Sequence, residues 1–166
     1  VGPLPDKNLV YDFHYYKPFA FTHQGAEWGD EVQTLLKDIH YPFRSSEMAG
    51  PRKIAEEKGW ETWPMDDYPQ TPDAAALEKD IGVVADWAAQ HKLRLLCGEF
   101  GAIQKGPLED RARWLADVRA ILERKNIAWA VWAFHAGFAV FEEGGKPIKS
   151  LVEGLTKEKH GNHNSP

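Results

Sequence analysis

Residues 93–101, Leu-Arg-Leu-Leu-Cys-Gly-Glu-Phe-Gly, are the stretch on which the predicted fold depends. Its first six residues, 93–98, form a short and mostly apolar run, which is typical of a buried strand in a parallel sheet. Similar runs occur at about 8–14, Asn-Leu-Val-Tyr-Asp-Phe-His, and at about 127–133, Ile-Ala-Trp-Ala-Val-Trp-Ala. β-branched and aromatic residues are frequent in both, as they are in strands generally. The sequence therefore predicts three strands.

Helical patterns separate the second and third runs and flank them. The first covers about 73–91 and begins at Asp73, a good N-cap residue. A second covers about 109–125, and a short third covers about 148–156. Apolar residues recur at helical spacing in the first two patterns, at Leu77, Ile81, Val84 and Ala88 and at Trp114, Leu115, Val118, Ile121 and Leu122. Strands that alternate with helices predict βα units, a parallel sheet and an α/β fold.

The segment 17–72 shows no clear periodicity and holds many Pro, Trp and Tyr residues. A connection of this length in a compact domain is usually functional. In a barrel of parallel strands it lies on the C-terminal face of the strands, where active sites form. We place one partial domain at 1–159 and a polar, flexible tail at 160–166.

Composition excludes some classes of protein and leaves others open. Charged residues make up 27% of the chain and the net charge is −5, which argues against nucleic acid as a partner. No apolar run reaches the length of a membrane-spanning helix, so we expect no membrane partner. The chain has seven Trp, five Tyr and eight Phe residues. They indicate either an aromatic core or a cleft in which aromatic rings stack on sugars.

The usual signatures of metal sites and serine hydrolases are missing from the sequence. The seven His residues are scattered, with no His-Glu-x-x-His, and Cys97 is the single cysteine, a small apolar core residue by its setting. No Gly-x-Ser-x-Gly is present. We expect no bound metal and no cofactor.

Chemistry-bearing residues follow the three predicted strands. The first ends in Phe13-His14-Tyr15-Tyr16, the second in Gly98-Glu99-Phe100-Gly101, and the third contains Trp129-Ala130-Val131-Trp132. The carboxyl ends of parallel strands meet where such sheets bind ligands. This series resembles strands six, seven and eight of glycoside hydrolase family 5, the cellulase family. Residues 21–26, Phe-Thr-His-Gln-Gly-Ala, followed by Trp28, resemble a loop of some of its endoglucanases. The resemblance runs from about residue 3 to 156.

The resemblance implies the C-terminal part, about strands 6–8, of a (β/α)8 barrel and a retaining β-glycosidase with Glu99 as nucleophile. Such a nucleophile must be ionised, fixed and close to the sugar. A strand end between Gly98 and Gly101 permits close approach of the backbone. Local sequence alone leaves a second interpretation open, in which Glu99 is a solvated loop residue.

The resemblance also assigns roles to neighbouring residues. His14 would help bind the sugar in the cleaved subsite, and the hydroxyl of Tyr16 would hold Glu99 in its ionised form. Trp132 would form the floor of that subsite. His23 and Trp28 are the further substrate-binding candidates. Trp60 and Trp63 of the same segment are weaker ones. Tyr15 and Trp129 should face the helices instead.

The resemblance also shows what the sequence lacks. A retaining glycosidase needs two carboxylates about 5–5.5 Å apart, and in family 5 the acid/base follows strand four in an Asn-Glu-Pro-like motif. No Asn-Glu pair occurs in this chain. Three strands cannot close an eight-stranded barrel. We expect an N-terminal half on a separate chain, self-association, or a nicked enzyme of which this is one piece.

The sequence favours one function and keeps others open. The first is an endo-β-1,4-glucanase that acts on β-glucan polysaccharide or oligosaccharide. We expect such an enzyme to be secreted or periplasmic. The first residue is Val1, so we expect the chain to begin after processing, cleavage or truncation. The same chemistry on mannan or on a β-1,3-glucan is close to it. A different class is a non-catalytic half-barrel that binds β-glycan or serves only in assembly with the N-terminal half.

Overall fold

The computed structural model describes residues 2–66 and 74–156, which contain one parallel sheet. Its strands are β1 (Val10–Tyr15), β2 (Arg94–Phe100) and β3 (Ala128–Val131), in the order β1-β2-β3. Both pairings are parallel. The three predicted strands are confirmed in number and direction. Because no strand is antiparallel to its neighbour, the carboxyl ends of all three lie at one edge of the sheet.

The predicted helices are also confirmed, and none of their described ends differs from the predicted position by more than one residue. They are α5 (Ala74–His91), α6 (Leu108–Arg124) and α7 (Lys149–Thr156). Asp73, the predicted N-cap of the first of these, lies outside the described residues, as does the predicted tail at 160–166.

The segment 17–72, for which the sequence showed no periodicity, contains short helices as far as residue 66. They are α1 (Phe19–Thr22), α2 (Glu31–Leu35), a 3-10 turn (Ser45–Met48), α3 (Ala49–Lys58) and α4 (Trp63–Asp66).

The longest of these helices, α3, shows why the pattern was missed. Ala55 is the one residue of α3 that is fully buried, so this helix has no apolar stripe to detect. Its end does carry a signal in the sequence. Gly59 has the left-handed φ of 67° that favours glycine, and Trp60 N–H donates to the carbonyl of Ala55.

The core lies between the sheet and the helices α5, α6 and α7. Trp114 of α6 is fully buried at its centre and contacts a ring from each of the first two strands. The ring of Tyr15 stacks on it at 6.2 Å, and Phe100 lies at 6.3 Å. Trp129 packs edge-on against Phe100 at 5.6 Å. The predicted helix-facing orientation of Tyr15 and Trp129 is therefore confirmed.

The opposite face of the sheet is open. Val10 is 49% exposed, and the side chains of Asp12 and His14 are about half exposed. Ala128 and Ala130 of β3 are exposed on the same side. Alternate residues of each strand thus leave one face of the sheet to solvent. None of the helices in residues 2–66 and 74–156 combines the length and apolar character that a membrane crossing requires.

Candidate active site

A bulge near the end of β2 decides which way Glu99 points. Phe13 pairs with Cys97, but the next residue, His14, pairs with Glu99, so β2 contains one extra residue at this step. Cys97 and Phe100 are three apart and both fully buried against the helices, which a regular strand does not permit. The extra residue therefore brings Glu99 to the face that carries His14.

Tyr16 makes the shortest contact with Glu99. Its hydroxyl donates a hydrogen bond of 2.8 Å to Oε2 of the carboxylate. Burial, followed by this bond to Glu99, raises the pKa of the Tyr16 phenol well above its ordinary value. The phenol therefore remains a proton donor throughout the pH range in which enzymes work.

His14 reaches the same carboxylate oxygen from β1. Its Nδ1 lies 3.3 Å from Oε2 of Glu99, and its Nε2 lies 3.4 Å from Oδ2 of Asp12. The ring thus lies between two carboxylates. The side chains of His14 and Glu99 are 50% and 27% exposed, so both are accessible from the open face.

The strand end of β2 fits closely against its neighbours, and its two glycines make this possible. A Cβ on Gly98 would come within 2.5 Å of Oδ1 of Asp12. A Cβ on Gly101 would overlap the carbonyl oxygen of Trp132. Trp132 N–H in turn donates to the carbonyl of Phe100 at 2.8 Å. Trp132, which is 47% exposed, is therefore fixed beside the strand end that carries Glu99.

His23 lies behind Tyr16, in a group of aromatic rings. Its ring stacks on Phe19 at 3.8 Å and meets Tyr16 and Phe138 edge-on, each at 5.1 Å. Its Nδ1 lies 2.9 Å from Oγ1 of Thr22. Burial lowers the pKa of His23 to about 4, so the imidazole is neutral at physiological pH. Only 9% of the residue is exposed, which leaves a small edge for contact with a ligand.

Trp28 lies at the outer edge of the same group and is 64% exposed. Its ring is 6.3 Å from that of Phe138. Phe138, which is 7% exposed, also contacts Tyr16 and so connects Trp28 to the site. The sequence did not single out Phe138. Its position six residues after Trp132 in a loop without periodicity gave no signal for it.

A cleft of about 530 Å³ opens beside His14 and Tyr16. Trp63 forms part of its wall and is 46% exposed, with its ring 4.8 Å from that of Phe19. The remaining lining residues are Lys17, Phe19 and Asp66. Among the loop tryptophans that the sequence considered weaker candidates, Trp63 is thus the one that lines the cleft with His14 and Tyr16.

The six candidate residues therefore form one neighbourhood at the carboxyl ends of the strands. His14 and Tyr16 each contact Glu99, Trp132 is fixed beside the end of β2, and His23 and Trp28 join through Tyr16 and Phe138. Of the six, His14 and Tyr16 line the cleft. In the part of the chain that the structure describes, no group of three or more His, Cys, Asp or Glu residues could hold a metal ion.

Comparison with known proteins gives one consistent result. The family model described as cellulase, glycosyl hydrolase family 5, matches residues 2–137. Endoglucanase C of Acetivibrio thermocellus is 30% identical over 161 residues, which are 96% of this chain and 46% of that protein. Endoglucanase 3 of Fibrobacter succinogenes is 31% identical over 160 residues, which are 93% of this chain and 23% of that protein.

Solved structures agree with the sequence matches. The crystal structure of endoglucanase Cel5A from Thermotoga maritima is similar with a TM-score of 0.71 at 28% identity, covering 93% of this chain and 41% of that one. This likeness confirms the predicted fold class, part of a (β/α)8 barrel. The chain spans less than half the length of the relatives it matches.

Proposed function

We propose that this chain, which belongs to glycoside hydrolase family 5, the cellulase family, carries part of the active site of a retaining endo-β-1,4-glucanase. That part contains the nucleophile. One observation carries the proposal. The Tyr16 hydroxyl and the His14 ring both contact Oε2 of Glu99. Neither of these contacts involves Oε1, and we assign to that oxygen the attack on the sugar.

The proposed reaction has two steps. Oε1 of Glu99 attacks the anomeric carbon, a C–O bond forms, and the glycosidic bond breaks, with its electron pair going to the leaving oxygen. That oxygen takes a proton from the acid/base carboxyl. The same carboxyl then removes a proton from water, which attacks the anomeric carbon and releases Glu99. Two inversions at one carbon give net retention of configuration.

The acid/base belongs, in this proposal, to an N-terminal half of the barrel. The exposed face of the sheet, with Val10, Asp12 and His14 on β1 and Ala130 on β3, is the surface that the remaining strands would cover. That half is either part of the same polypeptide or a separate chain. General acid–base assistance contributes about 10²–10⁴-fold to such reactions. We therefore expect this chain alone to be nearly inactive, with residues 1–159 acting as one partial catalytic domain.

The substrate we propose is a β-1,4-linked glucan. Trp63 lines the cleft, and Trp28 and Trp132 are exposed outside its lining; rings of this kind suit the flat apolar faces of sugars. The Thermotoga maritima relative has been solved with cellobiose and with mannotriose, so β-mannan is the nearest alternative. A polymeric substrate of this kind is met outside the cytoplasm, which supports a secreted or periplasmic location.

A second candidate is a half-barrel that binds β-glycan without cleaving it. The same three exposed tryptophans favour it, because stacking requires no acid/base.

The experiment that separates the two candidates compares three samples. They are this chain, this chain assembled with the N-terminal half of a related family 5 endoglucanase, and the assembled Glu99→Gln variant. We refer to the second sample as the assembled barrel.

Reducing-sugar release from soluble β-glucan should appear in the assembled barrel and be lost in its Glu99→Gln variant. The amide keeps the shape of the carboxylate but is a poor nucleophile, so glycan binding should persist. An active Glu99→Gln variant would contradict the assignment of the nucleophile. Binding by the assembled barrel with no hydrolysis would favour the non-catalytic half-barrel.

A further inference from the structure

Asp12 contacts two neighbours of Glu99, the backbone of Gly98 and the ring of His14. It does not line the cleft. It lies two residues before His14 on the same face of β1. Its Oδ1 accepts a hydrogen bond of 2.8 Å from Gly98 N–H, the residue before Glu99. Its Oδ2 lies 3.4 Å from Nε2 of His14. One carboxylate thus joins the backbone that carries Glu99 to the ring that contacts its side chain.

We infer that Asp12 is a positioning residue for Glu99, holding both the bulge of β2 and the ring of His14. This inference rests on the proposed role of Glu99 as nucleophile and adds to it a residue that acts without touching the sugar. Asp12 lies outside the motif that carries the family resemblance on this strand, which consists of His14 and Tyr16.

The bulge of β2 is the first feature that Asp12 holds in place. An extra residue in one strand interrupts the ladder and leaves backbone groups without strand partners. Asp12 provides the acceptor for Gly98 N–H at this point. This hydrogen bond is exposed, so water can replace Asp12 as the acceptor, but a water molecule does not fix Gly98 relative to β1. Without Asp12, the simplest rearrangement is a shift of Gly98, and Glu99 moves with it.

The ring of His14 is the second feature that Asp12 holds in place. A carboxylate close to one ring nitrogen limits the orientation of an imidazole. Oδ2 of Asp12 lies 3.4 Å from Nε2, and in this orientation of the ring Nδ1 lies 3.3 Å from Oε2 of Glu99. Asp12 therefore acts on Glu99 by two routes, through the backbone and through a side chain, and both keep Oε2 engaged.

Two substitutions in the assembled barrel separate these effects from simple loss of stability. Asp12→Ala removes both contacts. Asp12→Asn keeps a carbonyl oxygen for Gly98 N–H and places an N–H near Nε2 of His14. The matched control is Asp6→Ala, because Oδ1 of Asp6 also accepts a backbone N–H, that of Asn8 at 2.8 Å, at an exposed place in the chain.

The readouts are kcat and KM on soluble β-glucan, and hydrogen exchange of the Gly98 amide. A displacement of about 1 Å in a reacting group can cost roughly 10²-fold in rate. Asp12→Ala should therefore lower kcat by about 10- to 100-fold with KM changed less than about twofold, and should speed exchange of the Gly98 amide. Asp12→Asn should recover most of kcat, and Asp6→Ala should match the parent protein.

The outcomes that would overturn the inference are distinct from those that bear on the proposed function. If Glu99→Gln abolishes hydrolysis while Asp12→Ala retains the parent kcat, the inference is wrong and the proposed function stands. If Asp12→Asn and Asp12→Ala lose the same amount of kcat, and this loss accompanies a fall in Tm, Asp12 has only a structural role and the inference is also overturned. An active Glu99→Gln variant would contradict both claims.

Discussion

The hydroxyl of Tyr16 lies 2.8 Å from Oε2 of Glu99, a contact between residues 83 positions apart in the sequence. It joins the end of β1 to the end of β2 at the edge where the parallel strands finish. The phenol keeps its proton because burial and the carboxylate both raise its pKa. The pair therefore defines the centre of the candidate site.

Tyr16→Phe removes the donor and keeps the ring. Hydrogen bonds to a charged group contribute about 1.5–3 kcal/mol, which corresponds to a fall of roughly 10- to 100-fold in kcat of the assembled barrel. The control is Tyr41→Phe, which removes a hydroxyl that donates to Asp117 at 2.6 Å on α6. That variant should lose stability and keep its kcat. Equal kcat for Tyr16→Phe and the parent would contradict the role given to the phenol.

Gly98→Ala tests the bulge directly. Its Cβ would come within 2.5 Å of Oδ1 of Asp12, so the half-exposed Asp12 side chain must turn away. A flexible side chain moves at low cost, so we expect little loss of stability, but Asp12 no longer accepts from Gly98 N–H. Glu99 follows Gly98, so we expect activity of the assembled barrel to fall. Gly50→Ala in α3 is the control, since nothing lies within 4 Å of its added Cβ. A Gly98→Ala variant with parent activity would show that the bulge tolerates a side chain.

The pKa of His23 predicts how the stability of this chain depends on pH. Burial lowers that pKa from 6.5 to about 4 in the folded state, so the unfolded chain binds the proton more readily between these values. Stability should therefore be fully present above pH 6.5 and fall as the pH drops toward 4, by up to about 3 kcal/mol. Urea unfolding of this chain at pH 7 and pH 4.5 measures it.

His23→Gln is the comparison for this pH effect, because glutamine does not titrate. Its unfolding free energy should change less between the two pH values than that of the parent chain. The same pH dependence in both proteins would assign the effect to other groups and contradict the account of His23.

Two tryptophans should separate stability from binding. Trp114 is fully buried, and Trp114→Ala should cost about 3–5 kcal/mol of stability, as large-to-small changes in a core do. Trp28 is 64% exposed, so Trp28→Ala should leave Tm nearly unchanged and weaken binding of cello-oligosaccharides to the assembled barrel. Calorimetry gives both quantities. Unchanged binding in Trp28→Ala would remove this residue from the proposed subsites.

The strands and the contacts of the site differ in how well the sequence predicts them. Apolar runs followed by His14, Glu99 and Trp132 were enough to locate the three strand ends, because parallel strands finish at a common edge. The sequence does not reveal the bulge at Gly98, because one inserted residue shifts the alternation of inward and outward side chains by only one position. A period-two strand through Cys97 would have pointed Glu99 toward the helices.

Other features were missed because their signals lie in tertiary contacts. Phe138 connects Trp28 to Tyr16, but it occurs in a loop whose course no local pattern determines. Asp12 reads as an ordinary polar residue of a half-exposed strand, and its importance follows from the pairing of β1 with β2. Helix α3 buries Ala55 alone among its residues, which is too little to produce a periodic pattern.

Covalent trapping tests the central claim about Glu99. A cellobioside with fluorine at C2 and a good leaving group reacts with a nucleophilic carboxylate without help from the acid/base, and the fluorine slows hydrolysis of the glycosyl-enzyme. Mass spectrometry of the assembled barrel treated with this compound should show one added fluorocellobiosyl group, a disaccharide, on the peptide that contains Glu99. The Glu99→Gln variant should show none. A label on another carboxylate, or β-glucan hydrolysis with inverted configuration and no label, would contradict the account.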